Sequence, residues 1–201
     1  MKRCYYVFTN LFNVYFTIYN RLDVKGRELI PREGGLLVIS NHSSYLDPLI
    51  IGAAVNRRMT FLAKKELFTI PLVGKFVSSF SLPVSREGSS HKMIKETVQR
   101  LRSGEAIAMF PSGERDKGGD GAAAGFKRGL ELLARLSKVP VLPVYIKGAD
   151  MSLPVGGKFP KPFRISVRFA PCIVPGGEDS TGQEKDMISR AMESIGRLRT
   201  A

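Results

Sequence analysis

The sequence predicts a single α/β domain with a largely parallel central sheet flanked by helices. Two observations carry this expectation. Short apolar runs alternate with helix-length segments through most of the chain, the pattern of strands joined by helical crossovers. The 201 residues, 43% of them hydrophobic, also suit one substantial core. No internal repeat interrupts the alternation, and the only compositionally biased stretch is "GGDGAAAG", Gly118 to Gly125.

The chain opens on "MKRCYYVFTNLFNVYFTIYN". At helical spacing Phe8, Phe12, Tyr15, Phe16 and Tyr19 gather on one broad face. The segment is too interrupted by Asn10, Asn13, Thr17 and Asn20 to supply the ~20 apolar residues of a spanning helix, and it lacks a signal-peptide cleavage pattern. Two readings follow: an aromatic amphipathic helix on a membrane surface, with Lys2, Arg3, Arg21 and Lys25 near lipid phosphates, or a helix packed on its own domain. The first divides the chain into a membrane-interface helix, residues 1–25, and a domain, residues 26–201.

Strands are expected at Leu36–Ser40, Met59–Ala63, Ser81–Val84, Ala106–Phe110, Val141–Ile146 and Arg164–Phe169. Helices are expected at Leu46–Ala54, Leu72–Ser79, Ser90–Arg102, Phe126–Ser137 and from Glu184 to about Arg199. Pro143 inside a strand run suggests an edge or a bulge. Lys127 and Arg128, near the expected start of their helix, sit at the end that disfavours cations and so hint at an anionic ligand. Folds of this class place ligands beyond the carboxyl ends of the strands. His42, Arg86 and Arg115 all follow expected strands.

Thirty-one Lys and Arg against 18 Asp and Glu give a net charge of +13. That balance favours an anionic partner: nucleic acid, lipid headgroups, a phosphorylated substrate or an acidic protein. No nucleic-acid motif or stacking platform is evident. Cys4 and Cys172 form no metal or redox pattern, which points to free thiols in a reducing cytoplasm.

Chemistry concentrates in "SNHSSYLDP". A histidine whose second ring nitrogen is held by a carboxylate can act as a general base. His42 and Asp47 are five residues apart, so they meet only if His42 lies in the turn before the helix. That turn would set a helix N-terminus and its N–H groups beside His42. The competing reading is a polar capping turn. Downstream, "AMFPSGERDKGG" brings Arg115 after a buried strand. The glycines match neither a Walker A loop nor GxGxxG, which sets nucleotide binding of either type aside.

Four blocks, in order, resemble the glycerolipid acyltransferase family: "NHSSYLDP", "AKKELFTIPLVGKFVSSFSLPVSRE", "FPSGERDKGG" and "VPVLPVYIKG". The likeness spans roughly Gly26 to Gly148. It implies a glycerol-3-phosphate acyltransferase-like fold and transfer of a fatty acyl group from a thioester donor, acyl-CoA or acyl carrier protein, to the hydroxyl of lysophosphatidate. It implies no cofactor, no metal and no nucleic-acid partner. It further implies residence on the cytoplasmic side of the cell membrane, against an anionic bilayer. By position, His42 would be the base and Asp47 its orienter. Arg86, Arg115 and Lys64 would hold the acceptor phosphate, and Ser112, Gly113 and Glu114 would form a substrate loop. Ser112 stands where the family usually has Glu, and Glu114 where it usually has Thr. These departures leave open another lysolipid or hydroxyl acceptor.

Overall fold

The computed structural model describes residues 2–55, 57–64, 81–84, 90–111, 120–154, 156–157, 159–176 and 187–200. In chain order the elements are α1 (Lys2–Tyr19), β1 (Asp23–Lys25), a 3-10 turn (Arg27–Leu29), β2 (Leu36–Ser40), α2 (Asp47–Ala54), β3 (Met59–Lys64) and β4 (Ser81–Val84). They continue with α3 (Ser90–Arg102), β5 (Ala106–Met109), α4 (Asp120–Ser137), β6 (Val141–Lys147), α5 (Ala149–Ser152), β7 (Ser166–Phe169) and α6 (Met187–Thr200). The strands form one sheet in the order β1-β7-β6-β2-β5-β3-β4. Every described pairing is parallel except β6 with β7. The sheet is therefore mixed: β7 and β1 run against the other five strands. The expected helix Leu72–Ser79 lies outside the described residues.

β2 occupies the middle of the sheet, and all five of its residues are buried. Its side chains alternate between two cores, as the pleat requires. Leu36 and Val38 pack with Phe16, Ile50 and Ile51 under α1 and α2. Leu37 and Ile39 pack with Leu130, Leu133 and Ile188 under α4 and α6. A strand covered by helices on both faces reads as the unbroken apolar run "LLVI". Because β2 to β6 are mutually parallel, their carboxyl ends share one rim.

Of the two readings of Pro143 the bulge holds, one helix starts earlier than expected, and one strand is additional. β6 is an interior strand, not an edge, with β2 and β7 on its two sides. The register instead slips opposite Pro143: Val144 pairs with Phe169, but Val141 with Ile173, which places one extra residue on the far side. The Ala170 N–H donates to the Pro143 carbonyl, so the proline's missing donor faces this bulge, where no ladder bond is lost. Next, α4 begins at Asp120, six residues before the expected Phe126; the three alanines between the glycines favour helix enough to extend it. Lys127 therefore lies in the third turn, where it pairs with Glu131 at 3.9 Å, and the argument from the helix end is void. Finally, β1 was not anticipated; its three residues pair with β7.

α1 is packed on the domain along one face and exposed along the other. Tyr5 and Phe16 are buried in the core, with Phe12 packed against it. The Tyr5 hydroxyl accepts the Met59 N–H at 3.0 Å, and Asn13 donates to the Ala53 carbonyl at 2.9 Å. Opposite runs an aliphatic stripe: Val7, Leu11, Val14 and Ile18, 54–77% exposed. The expected aromatic face is thus divided, with Phe16 inward and Tyr15 and Tyr19 at the margin. Because Phe16 is fully buried, Phe16→Ala is expected to lower domain stability by about 3–5 kcal/mol in a urea titration. An unchanged transition midpoint would show that α1 is an appendage rather than part of the core.

Candidate active site

β2 delivers the chain to the middle of the rim, and Asn41 lets it leave the sheet there. The Asn41 side chain donates to the Ile146 carbonyl at 2.8 Å and accepts the Ile146 N–H at 2.8 Å. These bonds continue the β2–β6 ladder beyond its last backbone pair, Ser40 with Val144. The side chain does what backbone would have done, so the backbone is free to turn.

In that turn Asp47 holds everything else. Its Oδ2 accepts the Ser43 N–H at 2.7 Å, the Ser44 N–H at 2.8 Å and His42 Nδ1 at 2.9 Å. Asp47 is fully buried, whereas 19% of the His42 side chain is exposed. His42 lies before α2, and Asp47 is the first helical residue with Pro48 after it. This is the only arrangement in which the five-residue spacing closes a contact. A carboxylate only accepts, so Nδ1 carries a proton, and in the neutral ring Nε2 keeps its lone pair.

One further contact sets the imidazole. Its ring stacks on Phe110, just past β5, with centroids 4.3 Å apart and planes 24° apart. Ser44 anchors the turn, donating from Oγ to the Leu153 carbonyl at 2.9 Å and accepting the Leu46 N–H at 3.2 Å. Four of the turn's amides are engaged within it rather than offered to an anion. Ser43 and Ser44 donate to Asp47, Leu46 to Ser44 Oγ, Asp47 to the Ser44 carbonyl at 3.3 Å, and Pro48 has no N–H.

Of the other candidate residues, Lys64 is the last residue of β3, in register with Val84 of β4. Arg86, Ser112, Gly113, Glu114 and Arg115 lie outside the described residues. In sequence Arg86 follows β4 by two positions and Arg115 follows β5 by six, and both strands end on the His42 rim. Asn41 and Phe110 are the contributors that sequence reasoning did not assign. Asn41 was visible inside the motif, but its role depends on β6 being a neighbour of β2. No cluster of three or more metal-ligating side chains occurs among the described residues. A cavity of about 280 Å³ between α1 and the far end of α2, lined by Thr9, Asn13 and Arg27, does not include His42.

The fold agrees with comparisons to known proteins. A family model described as Acyltransferase matches residues 21–147, more than half the chain. The chain belongs to the Acyltransferase family. Among similar proteins, this acyltransferase is 28% identical over 141 residues to a 1-acyl-sn-glycerol-3-phosphate acyltransferase of Bacillus subtilis, covering 69% of each chain. A protein of the same name from Streptococcus pneumoniae is 31% identical over 115 residues, 56% of this chain and 41% of that one. The crystal structure of the 1-acyl-sn-glycerophosphate acyltransferase PlsC from Thermotoga maritima superposes with a TM-score of 0.74 at 25% identity. It covers 96% of this chain and 79% of that one. The α/β fold of this acyltransferase is thus the one that structure shows.

With Nδ1 bonded to Asp47, the side-chain ¹⁵N shifts of His42 are expected to show a protonated Nδ1 and an unprotonated Nε2 above the histidine's titration. Only His91 needs to be distinguished from it. An Nε2–H tautomer would contradict the assigned contact. Asn41→Ala, which orphans two backbone groups of Ile146, is expected to cost about 2–3 kcal/mol by urea denaturation.

Proposed function

We propose that this enzyme transfers a fatty acyl group from a thioester donor to the free hydroxyl of lysophosphatidate, giving phosphatidate. The carrying observation is the His42–Asp47 contact, which leaves Nε2 as a basic nitrogen at the open rim of the sheet. The names of the Bacillus subtilis and Thermotoga maritima relatives supply the acceptor class.

In this reading His42 Nε2 takes the proton of the acceptor hydroxyl as its oxygen attacks the thioester carbonyl carbon. The tetrahedral intermediate collapses, the C–S bond breaks, and the proton passes from Nε2 to the departing thiolate. Asp47 holds the ring and stabilises the imidazolium without itself taking the proton. The amides of Ser43, Ser44, Leu46 and Asp47 are engaged internally, so oxyanion donors would be other N–H groups. A ternary complex is favoured over an acyl-enzyme. Ser44 is buried with its hydroxyl donating to Leu153, and Cys172 is half-buried, with burial pushing its thiol up.

Arg86, Arg115 and Lys64 would bind the acceptor phosphate, and Ser112, Gly113 and Glu114 would shape its loop. The donor would be acyl-CoA or acyl carrier protein, whose acidity the +13 charge suits. The aliphatic stripe of α1 would lie on an anionic membrane, on its cytoplasmic side. No described helix is long and apolar enough to cross one. Ser112 and Glu114 favour a second reading, the same chemistry on another lysolipid or hydroxyl acceptor.

The test is acyl transfer by the purified chain from acyl-CoA and from acyl carrier protein to a panel of acceptors. Lysophosphatidate is expected to be the best acceptor, and His42→Ala to lower its turnover by about 10²–10⁴-fold. An equally active His42→Ala would contradict the mechanism. Arg86→Ala and Arg115→Ala are expected to raise KM for phosphorylated acceptors. If they leave acceptor preference unchanged, phosphate recognition by these arginines is wrong.

A further inference from the structure

The segment from Phe159 to Arg164 crosses the rim beside the active-site turn, and its backbone is held with unusual thoroughness for a stretch without regular structure. Asn20, fully buried at the end of α1, donates to the Lys161 carbonyl at 3.0 Å and the Phe163 carbonyl at 2.9 Å. Ser152 Oγ donates to the Lys161 carbonyl at 2.9 Å, and the Lys161 N–H donates to the Ser152 carbonyl at 2.7 Å. The Tyr19 hydroxyl donates to the Pro160 carbonyl at 3.1 Å. The Arg164 carbonyl packs onto Gly148, whose φ of 85° and missing side chain are both required there.

This rigid backbone holds its side chains outward. Phe159 is 80% exposed, the most exposed large hydrophobic residue described, and Phe163 is 44% exposed. Lys161 is exposed between them, and Arg164 follows, with 71% of its side chain in water. Two aromatic rings interleaved with two cations on a fixed loop match a membrane interface, where rings sit at headgroup level and cations meet lipid phosphates. Asp23, 3.4 Å from Arg164, offsets one of those charges only partly in water. The patch continues the exposed stripe of α1, since Tyr19 touches Pro160 and Ile18 beside it is 77% exposed.

We infer that Phe159–Arg164 is a second bilayer-contact element, which together with α1 seats the carboxyl-end rim on an anionic membrane. It rests on the membrane reading given above and adds to it the orientation. α1 alone would let the protein lie on its flank; a second contact at the rim turns the side bearing His42 toward the lipid. The link is direct, because Leu153, which accepts the Ser44 hydroxyl, adjoins Ser152, which holds the loop.

The chain contains no tryptophan, so Phe159→Trp creates a single reporter. The experiment mixes the full chain carrying Phe159→Trp with phosphatidylcholine vesicles, with or without phosphatidylglycerol, and reads co-sedimentation and emission together. On anionic vesicles the emission is expected to shift to the blue and to be quenched by brominated acyl chains. Separately, Phe159→Ala/Phe163→Ala is expected to bind at least tenfold more weakly, and Lys161→Gln about fivefold more weakly. A protein that does not sediment with anionic vesicles overturns the membrane reading and this element with it. A protein that sediments while the tryptophan stays unshifted and unquenched, and the double variant binds like wild type, overturns this element alone. Thermal melts of the variants in solution show whether any binding loss follows from unfolding.

Discussion

Asp47 Oδ2 accepts three hydrogen bonds in a fully buried position, from two backbone amides and from His42 Nδ1. A buried carboxylate is costly unless it is hydrogen-bonded; Oδ1 is buried with no partner among the described residues, so the three bonds to Oδ2 supply the compensation, and making them dictates the course of the chain. The amides of Ser43 and Ser44 converge only if the backbone curls around the carboxylate. That curl places His42 before the helix and aims its ring at Asp47. The same interaction that makes the burial tolerable therefore positions the imidazole. A polar capping turn and a His–Asp contact, rival readings of "SNHSSYLDP", are one construction.

The sheet supplies what the turn cannot. β2 lies between β6 and β5, and each neighbour contributes to the site: β6 anchors Asn41 through Ile146, and the end of β5 presents Phe110 to the imidazole. Parallel strands bring their carboxyl ends to one level, so contributions far apart in sequence arrive at the same rim. On the outer side, α1 contributes Phe16 to the core and Asn20 to the rim loop. Packing, site and exposed apolar surface are consequently joined through a short chain of contacts.

Much of this was legible in the sequence, for identifiable reasons. β2, β4 and α3 fall on their expected bounds, because apolar runs bounded by polar turns mark strands and a 3.6-residue pattern marks a helix. β1 was not legible: "DVK" has no pattern of its own, and its pairing comes from β7, more than a hundred residues later. The start of α4 was masked by glycines whose cost neighbouring alanines offset. Pro143 signalled a bulge correctly but not its location, since the extra residue lies on the opposite segment. The His42–Asp47 contact could be framed as a geometric demand. Asn41 and Phe110 could not be assigned, because their roles depend on strand order, which no local pattern encodes.

The central claim is that Asp47 acts through His42 by fixing its tautomer and orientation. The most direct measurement is the steady-state kinetics of Asp47→Asn, with kcat and KM for the acceptor separated and the fold checked by circular dichroism. A native spectrum, a KM close to wild type and a kcat lower by about 10²–10⁴-fold are expected. A natively folded Asp47→Asn enzyme with wild-type kcat would contradict the claim.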